Sequence, residues 1–339
     1  MGPLTRAQTA IRRLRRAPVT ARCAEAVLAC CLATALAAAG FTLMSRAAAA
    51  SQASQPGRSP YHPATAGRPE PSRHTNAVNP IVLRPPRAVS RACAARAALT
   101  AALARVLRHH TGRLAAAVTD LGTGVTATYH PRQAFPTASI VKAGILATLL
   151  LQHQHQHAAL SPGEQALAAA MIENSDNAAA TALWNTIGGA AGLAAADQAL
   201  RLRHTLPGPG GWWGLTATTV TDQLRLLSAL ATPRSPLTTA SRRYELALMR
   251  AVAAGQNWGV TAAASPRTRP AVKNGWMPDG PAGRWVINSI GVISHHGQRL
   301  LLAVLSSGQP SQLAGIRQVQ AAATAAAAAI TTTPPCPPR

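Results

Sequence analysis

Of the 33 Lys and Arg residues in the chain, only two are lysine. One is Lys142, in Phe135-Pro-Thr-Ala-Ser139-Ile-Val-Lys142. The other is Lys273, in Ala271-Val-Lys273-Asn274-Gly275-Trp276. An amine can do what a guanidinium cannot, because the pKa of arginine is too high for it to give up its proton inside a protein. In the first stretch a serine hydroxyl precedes the lysine by three residues at a predicted helix start, where side chains at i and i+3 share a face. A buried lysine beside another cation is neutral near pH 7 and able to take the serine proton. The helix N-terminus adds backbone N–H groups for an oxyanion. The chemistry indicated is acyl transfer, with Ser139 as nucleophile and Lys142 as its base.

A third element lies between them, in Met171-Ile-Glu-Asn-Ser175-Asp176-Asn177. Its hydroxyl can relay a proton and its side-chain amide can grip a substrate amide. Serine-x-x-lysine alone is a weak signal. If two lysines fell at random among 33 basic positions, both would land in these motifs about once in 500 trials, which favours the motif reading. Taken in order, S-x-x-K, S-D-N and K-N-G resemble the signature of class A β-lactamases and penicillin-binding proteins.

The resemblance covers about residues 91 to 331, and the flanks share it: Phe135-Pro-Thr-Ala before the serine, and Ala178-Ala-Ala-Thr-Ala-Leu-Trp with Gly188-Gly189 after the second motif. It implies that Ser139 is acylated, that Lys142 is the base and that Ser175 passes a proton to the leaving nitrogen. It also implies that Lys273 holds a substrate carboxylate and that Asn177, Asn274, Gly275 and Trp276 line the substrate site. The backbone N–H groups of Ser139 and Trp276 would form the oxyanion hole. The substrates implied are β-lactams or D-alanyl cell-wall peptides, with no cofactor and no metal. A D,D-peptidase, or a penicillin-binding or wall-sensing module without turnover, shares the same motifs.

Three departures bear on mechanism. Asn274 stands where the family usually has Thr or Ser, so an amide replaces a hydroxyl on the substrate carboxylate. The stretch between the first two motifs, Gln152 to Ala170, is short for a β-lactamase. Class A enzymes also carry a loop glutamate that activates the deacylating water. Here Leu206-Pro-Gly-Pro-Gly-Gly-Trp212-Trp213-Gly-Leu-Thr216 contains no acid, and none occurs between Asp197 and Asp222. Glu173, two residues before Ser175, points to a different helix face from it and reads as a solvated residue. The expectation is an acyl-enzyme that forms more readily than it hydrolyses.

The elements that must position these groups follow from periodicity. Ala94 to Arg108 reads as an Ala/Leu helix, and residues 114–120 and 125–129 as a hairpin around Gly122-Thr-Gly124. A helix starts near Ser139, and helical stretches fill 163–205 with a break at Gly188-Gly189. Residues 216–230 and 241–254 read as further helices. Strands are expected at 272–276, 285–293 and 299–306, and a last Ala-rich helix at 312–330. The fold class is therefore α/β of the α+β type. An antiparallel sheet is completed from both chain ends with flanking helices, and the middle forms an all-helical subdomain.

The remaining signals concern the surroundings. The formal net charge is +23, but the arginines are scattered and no recognition motif accompanies them, so a nucleic-acid partner is not expected. Residues 1–25 form a basic cytoplasmic leader and 26–44 an uncharged run, either a signal peptide or a signal-anchor. The long leader favours a retained anchor in the cell membrane. Residues 45–90 read as a Pro/Ser/Arg-rich linker, 91–331 as the hydrolase domain and 332–339 as a tail. The location expected is extracytoplasmic, as a monomer. Cys93 and Cys336 form an even pair outside the membrane, either bridged or as two thiols. His153, His155 and His157 have no carboxylate nearby in sequence and read as a polar helix end rather than a metal site. Trp212 and Trp213 fit either a cleft wall or loop packing.

Overall fold

A computed structural model describes residues 87–332 with the exception of residue 109. The leader, the apolar run 26–44 and Cys336 lie outside the described residues. The elements, in chain order, are α1 (Arg87–Leu107), β1 (Arg113–Asp120), β2 (Thr126–Tyr129), β3 (Phe135–Pro136), a 3-10 turn (Ala138–Ile140) and α2 (Val141–His155). Then come α3 (Pro162–Glu173), α4 (Asn177–Thr186), α5 (Gly189–Ala199), β4 (Ala217–Thr218), α6 (Val220–Ala231) and α7 (Thr239–Arg250). The chain closes with β5 (Ala271–Asp279), β6 (Arg284–His295), β7 (Gln298–Gln309) and α8 (Gln312–Thr331).

Five strands form one antiparallel sheet in the order β2-β1-β7-β6-β5, so the two chain ends meet at β1 and β7, where Leu114 pairs with Ser306 and Ala116 with Val304. Period-two alternation gives each strand two apolar faces. In β7, Leu301, Ala303 and Leu305 join the core beneath the helical subdomain, while Leu300, Leu302 and Val304 join the core under α1 and α8. Val319, Ala322, Ala323, Ala326, Ala327 and Ile330 recur at helical spacing along α8 and pack with Ala95, Leu99 and Leu103 of α1 on that second face. Alanines let the helix lie close to the sheet. A side chain at Gly315 would run into the Ile287 Cγ1.

The expected order of elements stands, with boundary differences that have local causes. Helix α1 starts at Arg87, directly after Pro85-Pro86, so it takes in residues assigned to the linker. The helix expected from 216 starts at Val220, because Ala217 and Thr218 pair with Pro136 and Phe135 and the Thr219 hydroxyl caps the helix by accepting from Asp222 N at 3.2 Å. Residues 163–205 are interrupted at Gly188 and again at residues 174–176. Ser175 there has φ of +57°, and Asp176 begins a new helix by accepting from Ala179 N at 2.7 Å. The second break carries the S-D-N motif. Among the described residues no helix is long and apolar enough to cross a membrane.

Candidate active site

The turn that carries Ser139 is held from three sides. Phe135 is buried beneath it, and Thr137 N donates to Thr216 O at 2.8 Å. From β6, the buried Asn288 amide donates to Pro136 O at 2.8 Å and Thr137 O at 3.0 Å, while its carbonyl accepts from Ser306 N at 3.0 Å. Ala138 adopts a left-handed φ of +47° just before the serine, a conformation that persists only where surroundings impose it. Sequence reasoning missed Asn288. Its signal was a lone amide in the apolar strand Trp285-Val-Ile-Asn-Ser-Ile, since a buried polar group needs partners.

Lys142 follows one helical turn later and is fully buried. Its ammonium donates to Ser175 O at 2.6 Å, Asn177 Oδ1 at 2.8 Å and Ser175 Oγ at 3.1 Å, and the Trp213 ring lies over it with the centroid 4.9 Å away. All three N–H donors are thus engaged, and one must be released before the amine can serve Ser139. Burial lowers its pKa to about 8, against an upward pull from Asp176. Lys273 is 1% exposed on β5. Its ammonium donates to Ser175 Oγ and to Asn274 O, both at 3.1 Å. Burial first and the Lys142 cation second bring its pKa down to about 7. Ser175 Oγ therefore sits between two lysines, each 3.1 Å away. The break between α3 and α4 positions it there, because Ser175 in a left-handed conformation turns its oxygen toward both amines.

Gly275 has the space its place requires. A Cβ there would lie 2.7 Å from Ser139 N and 2.8 Å from Ile140 N, so only glycine lets β5 run against the nucleophile turn. Trp276 is half-buried and its ring packs on Trp258 at 5.8 Å between centroids. Asn274 departs from the expectation of a contact to a substrate carboxylate. Its Nδ2 donates to Gln256 O at 2.7 Å and Trp258 O at 3.1 Å, and its Oδ1 is buried without a partner. Successive residues of a strand face opposite sides, which carries Asn274 to the side of Trp258 and away from Lys273.

The loop between α5 and α6 brings no acid to the site, only Trp213. Glu173 faces elsewhere: the Tyr244 phenol on α7 is pushed up by burial and then by the Glu173 carboxylate. The histidine tract needs one correction. His153 does have a carboxylate beside it, since folding brings Glu164 of α3 to 3.0 Å from Nε2, a contact between elements that sequence distance conceals.

A serine hydroxyl at a turn, two buried amines and a second hydroxyl bridging them are the parts of a serine acyl-transfer site. The family described as "Beta-lactamase enzyme family" matches the chain over residues 98–165 and 152–332. The chain belongs to the beta-lactamase enzyme family. Two mycobacterial relatives in that light are "Putative lipoprotein LppW" of Mycobacterium tuberculosis and its counterpart in Mycobacterium bovis. Each is 30% identical over 212 residues, covering 60% of this chain and 66% of the relative. The chain thus matches just under two thirds of their length. Solved structures share the fold of this beta-lactamase family member. A β-lactamase from Desulfarculus baarsii has a TM-score of 0.58 at 22% identity, covering 68% of this chain and 97% of its own. A class A β-lactamase from Bacteroides cellulosilyticus has a TM-score of 0.61 at 17% identity, covering 70% and 99%.

Proposed function

We propose that this member of the beta-lactamase family is an exported serine hydrolase, acylated at Ser139 by β-lactams or D-alanyl peptide amides, and slow to release the acyl group. The observation that carries the reading is Ser175 Oγ lying 3.1 Å from both Lys142 Nζ and Lys273 Nζ. Neutral Lys142 takes the Ser139 proton as Oγ bonds to the carbonyl carbon. The developing oxyanion is held by the Ser139 and Trp276 N–H groups beside the opening left by Gly275. The proton then passes from Lys142 through Ser175 to the departing nitrogen, so the C–N bond breaks with an amine as leaving group. Charged Lys273 holds the substrate carboxylate, and Asn177 holds an amide of the acyl chain. The Asn274 side chain takes no part.

Release needs a base for water, and the loop offers none. That supports a long-lived acyl-enzyme, as in a D,D-peptidase awaiting an acceptor or a module that traps ligand. The basic leader, the apolar run 26–44 and the relatives' description as lipoproteins support an extracytoplasmic location. The test is intact-mass spectrometry after exposure to benzylpenicillin. One acyl adduct on the wild type and none on Ser139→Ala is the expected result. An adduct that survives in Ser139→Ala, or no adduct with either a penicillin or a D-alanyl thioester, would refute the assignment.

A further inference from the structure

The loop that lacks an acid is not simply empty of function. Trp213 lies in its 3-10 turn, Trp213–Leu215, which packs on the turn carrying Ser139. Thr137 Oγ1 donates to Gly214 O at 3.4 Å, and a Cβ at Gly214 would stand 3.9 Å from Ala138 Cα. On its other side the Trp213 indole N–H donates to Thr181 Oγ1 on α4 at 3.2 Å. The ring therefore spans from the nucleophile turn to the S-D-N helix and covers Lys142 Nζ, 4.9 Å from the centroid. The loop is tied at its neck. Leu206 N donates to Ala217 O at 2.8 Å, Ala217 N to Leu206 O at 2.9 Å, and Gly208 N to Thr216 Oγ1 at 3.0 Å. Trp212, next in chain, is 56% exposed and makes no such span.

We propose that Trp213 is a positioning residue that protects the acyl-enzyme from water by occupying the loop side of Lys142. This rests on the acylation of Ser139 argued above. Hydrolysis of the ester requires a water oxygen to bond to the acyl carbon while a base takes one water proton. The bond from carbon to Ser139 Oγ then breaks and Oγ recovers a proton. The ring removes both requirements on that side. It fills space a water would use, its single N–H is spent on Thr181, and an indole has no lone pair with which to accept the proton.

The experiment follows label loss from the full chain in mild detergent, acylated with fluorescent penicillin, for wild type, Trp213→Ala and Trp213→Phe. Trp213→Ala should shed the label at least tenfold faster than wild type, with an acylation rate changed by less than about threefold. Trp213→Phe keeps a ring and should remain slow. A structural role alone would lower acylation and release together. Equal release from wild type and Trp213→Ala overturns the proposal, and so does fast release from Trp213→Phe, which would assign the effect to the Thr181 bond. Should Trp213→Ala not fold, Trp213→Val takes its place as the variant without a ring over Lys142, with the same tenfold faster release expected and equal release overturning the proposal. Absence of label on the wild type would instead refute acylation by penicillins, and the role of Trp213 with it.

Discussion

Replacing Lys273 by methionine keeps an unbranched side chain one atom shorter and removes its charge. At 1% exposure the ammonium is almost wholly withdrawn from water, and its pKa falls from 10.5 to about 7. Between those values the unfolded chain holds a proton that the folded chain does not, so stability rises with pH across the window from about 7 to about 10.5 and the burden is fully present below it. At ~1.4 kcal/mol for each pH unit, the buried charge costs the fold up to ~5 kcal/mol at pH 6. Against this, methionine abandons two acceptors, Ser175 Oγ and Asn274 O, at about 1 kcal/mol each. The net expectation is that Lys273→Met is more stable than wild type by roughly 2–3 kcal/mol at pH 6.

Urea unfolding followed by tryptophan fluorescence at pH 6 and pH 10 measures it. The advantage of the variant should shrink or reverse at pH 10, where folded wild-type Lys273 is neutral and most of the rise in wild-type stability across the window has been gained. The same variant should lose at least about a hundredfold in acylation by carboxylate-bearing penicillins, since an uncompensated substrate carboxylate costs roughly 3 kcal/mol. A variant less stable than wild type at pH 6 would refute the reasoning. It would mean the two acceptors hold Lys273 as a satisfied cation, in spite of its burial and the Lys142 charge, rather than as a strained one kept for function.

Other perturbations test other parts of the site. Acylation should follow a bell-shaped pH profile with limbs near pH 7 and 8, set by the lysine pair as a unit. The reaction needs one proton, on Lys273 and not on Lys142, and a rate still climbing at pH 9 would show that the Lys273 charge is dispensable. Asn288→Ala removes both bonds to the turn before Ser139 and should destabilise the fold by about 2–4 kcal/mol while slowing acylation; chemical denaturation and labelling rates measure the two effects. Gly275→Ala should abolish labelling, because its Cβ would intrude within 2.7 Å of Ser139 N; a labelled variant would show that β5 can shift. Asp197 is raised to about 7 by burial and by Asp222, so stability falls as pH rises from about 4 to 7; Asp197→Asn should flatten that slope in thermal melts.

What the sequence disclosed follows from the range over which each signal acts. Two lysines in an arginine-rich chain marked the site because a proton-accepting amine has no substitute. Nearly continuous apolar runs in residues 285–293 and 299–306 marked strands because both faces of a central strand are apolar. Each is a local property. The elements that sequence reasoning misread are those settled by partners far along the chain. Ala217-Thr218 pairs with Phe135-Pro136 although the residues fit a helix. Asn274 falls on the Trp258 side through strand alternation, so that matching it to a hydroxyl by motif position assigned it the wrong neighbours. Trp213 was left between two roles because nothing within the loop says what lies beneath it; Lys142, 71 positions earlier, does. The missing glutamate could be read from the sequence as an absence. That an aromatic ring lies over the same lysine is a matter of loop closure, fixed by bonds at Leu206, Gly208 and Thr181 whose partners no motif records. Motif residues thus name the reaction the site can begin, and the contacts between loops decide how far it proceeds.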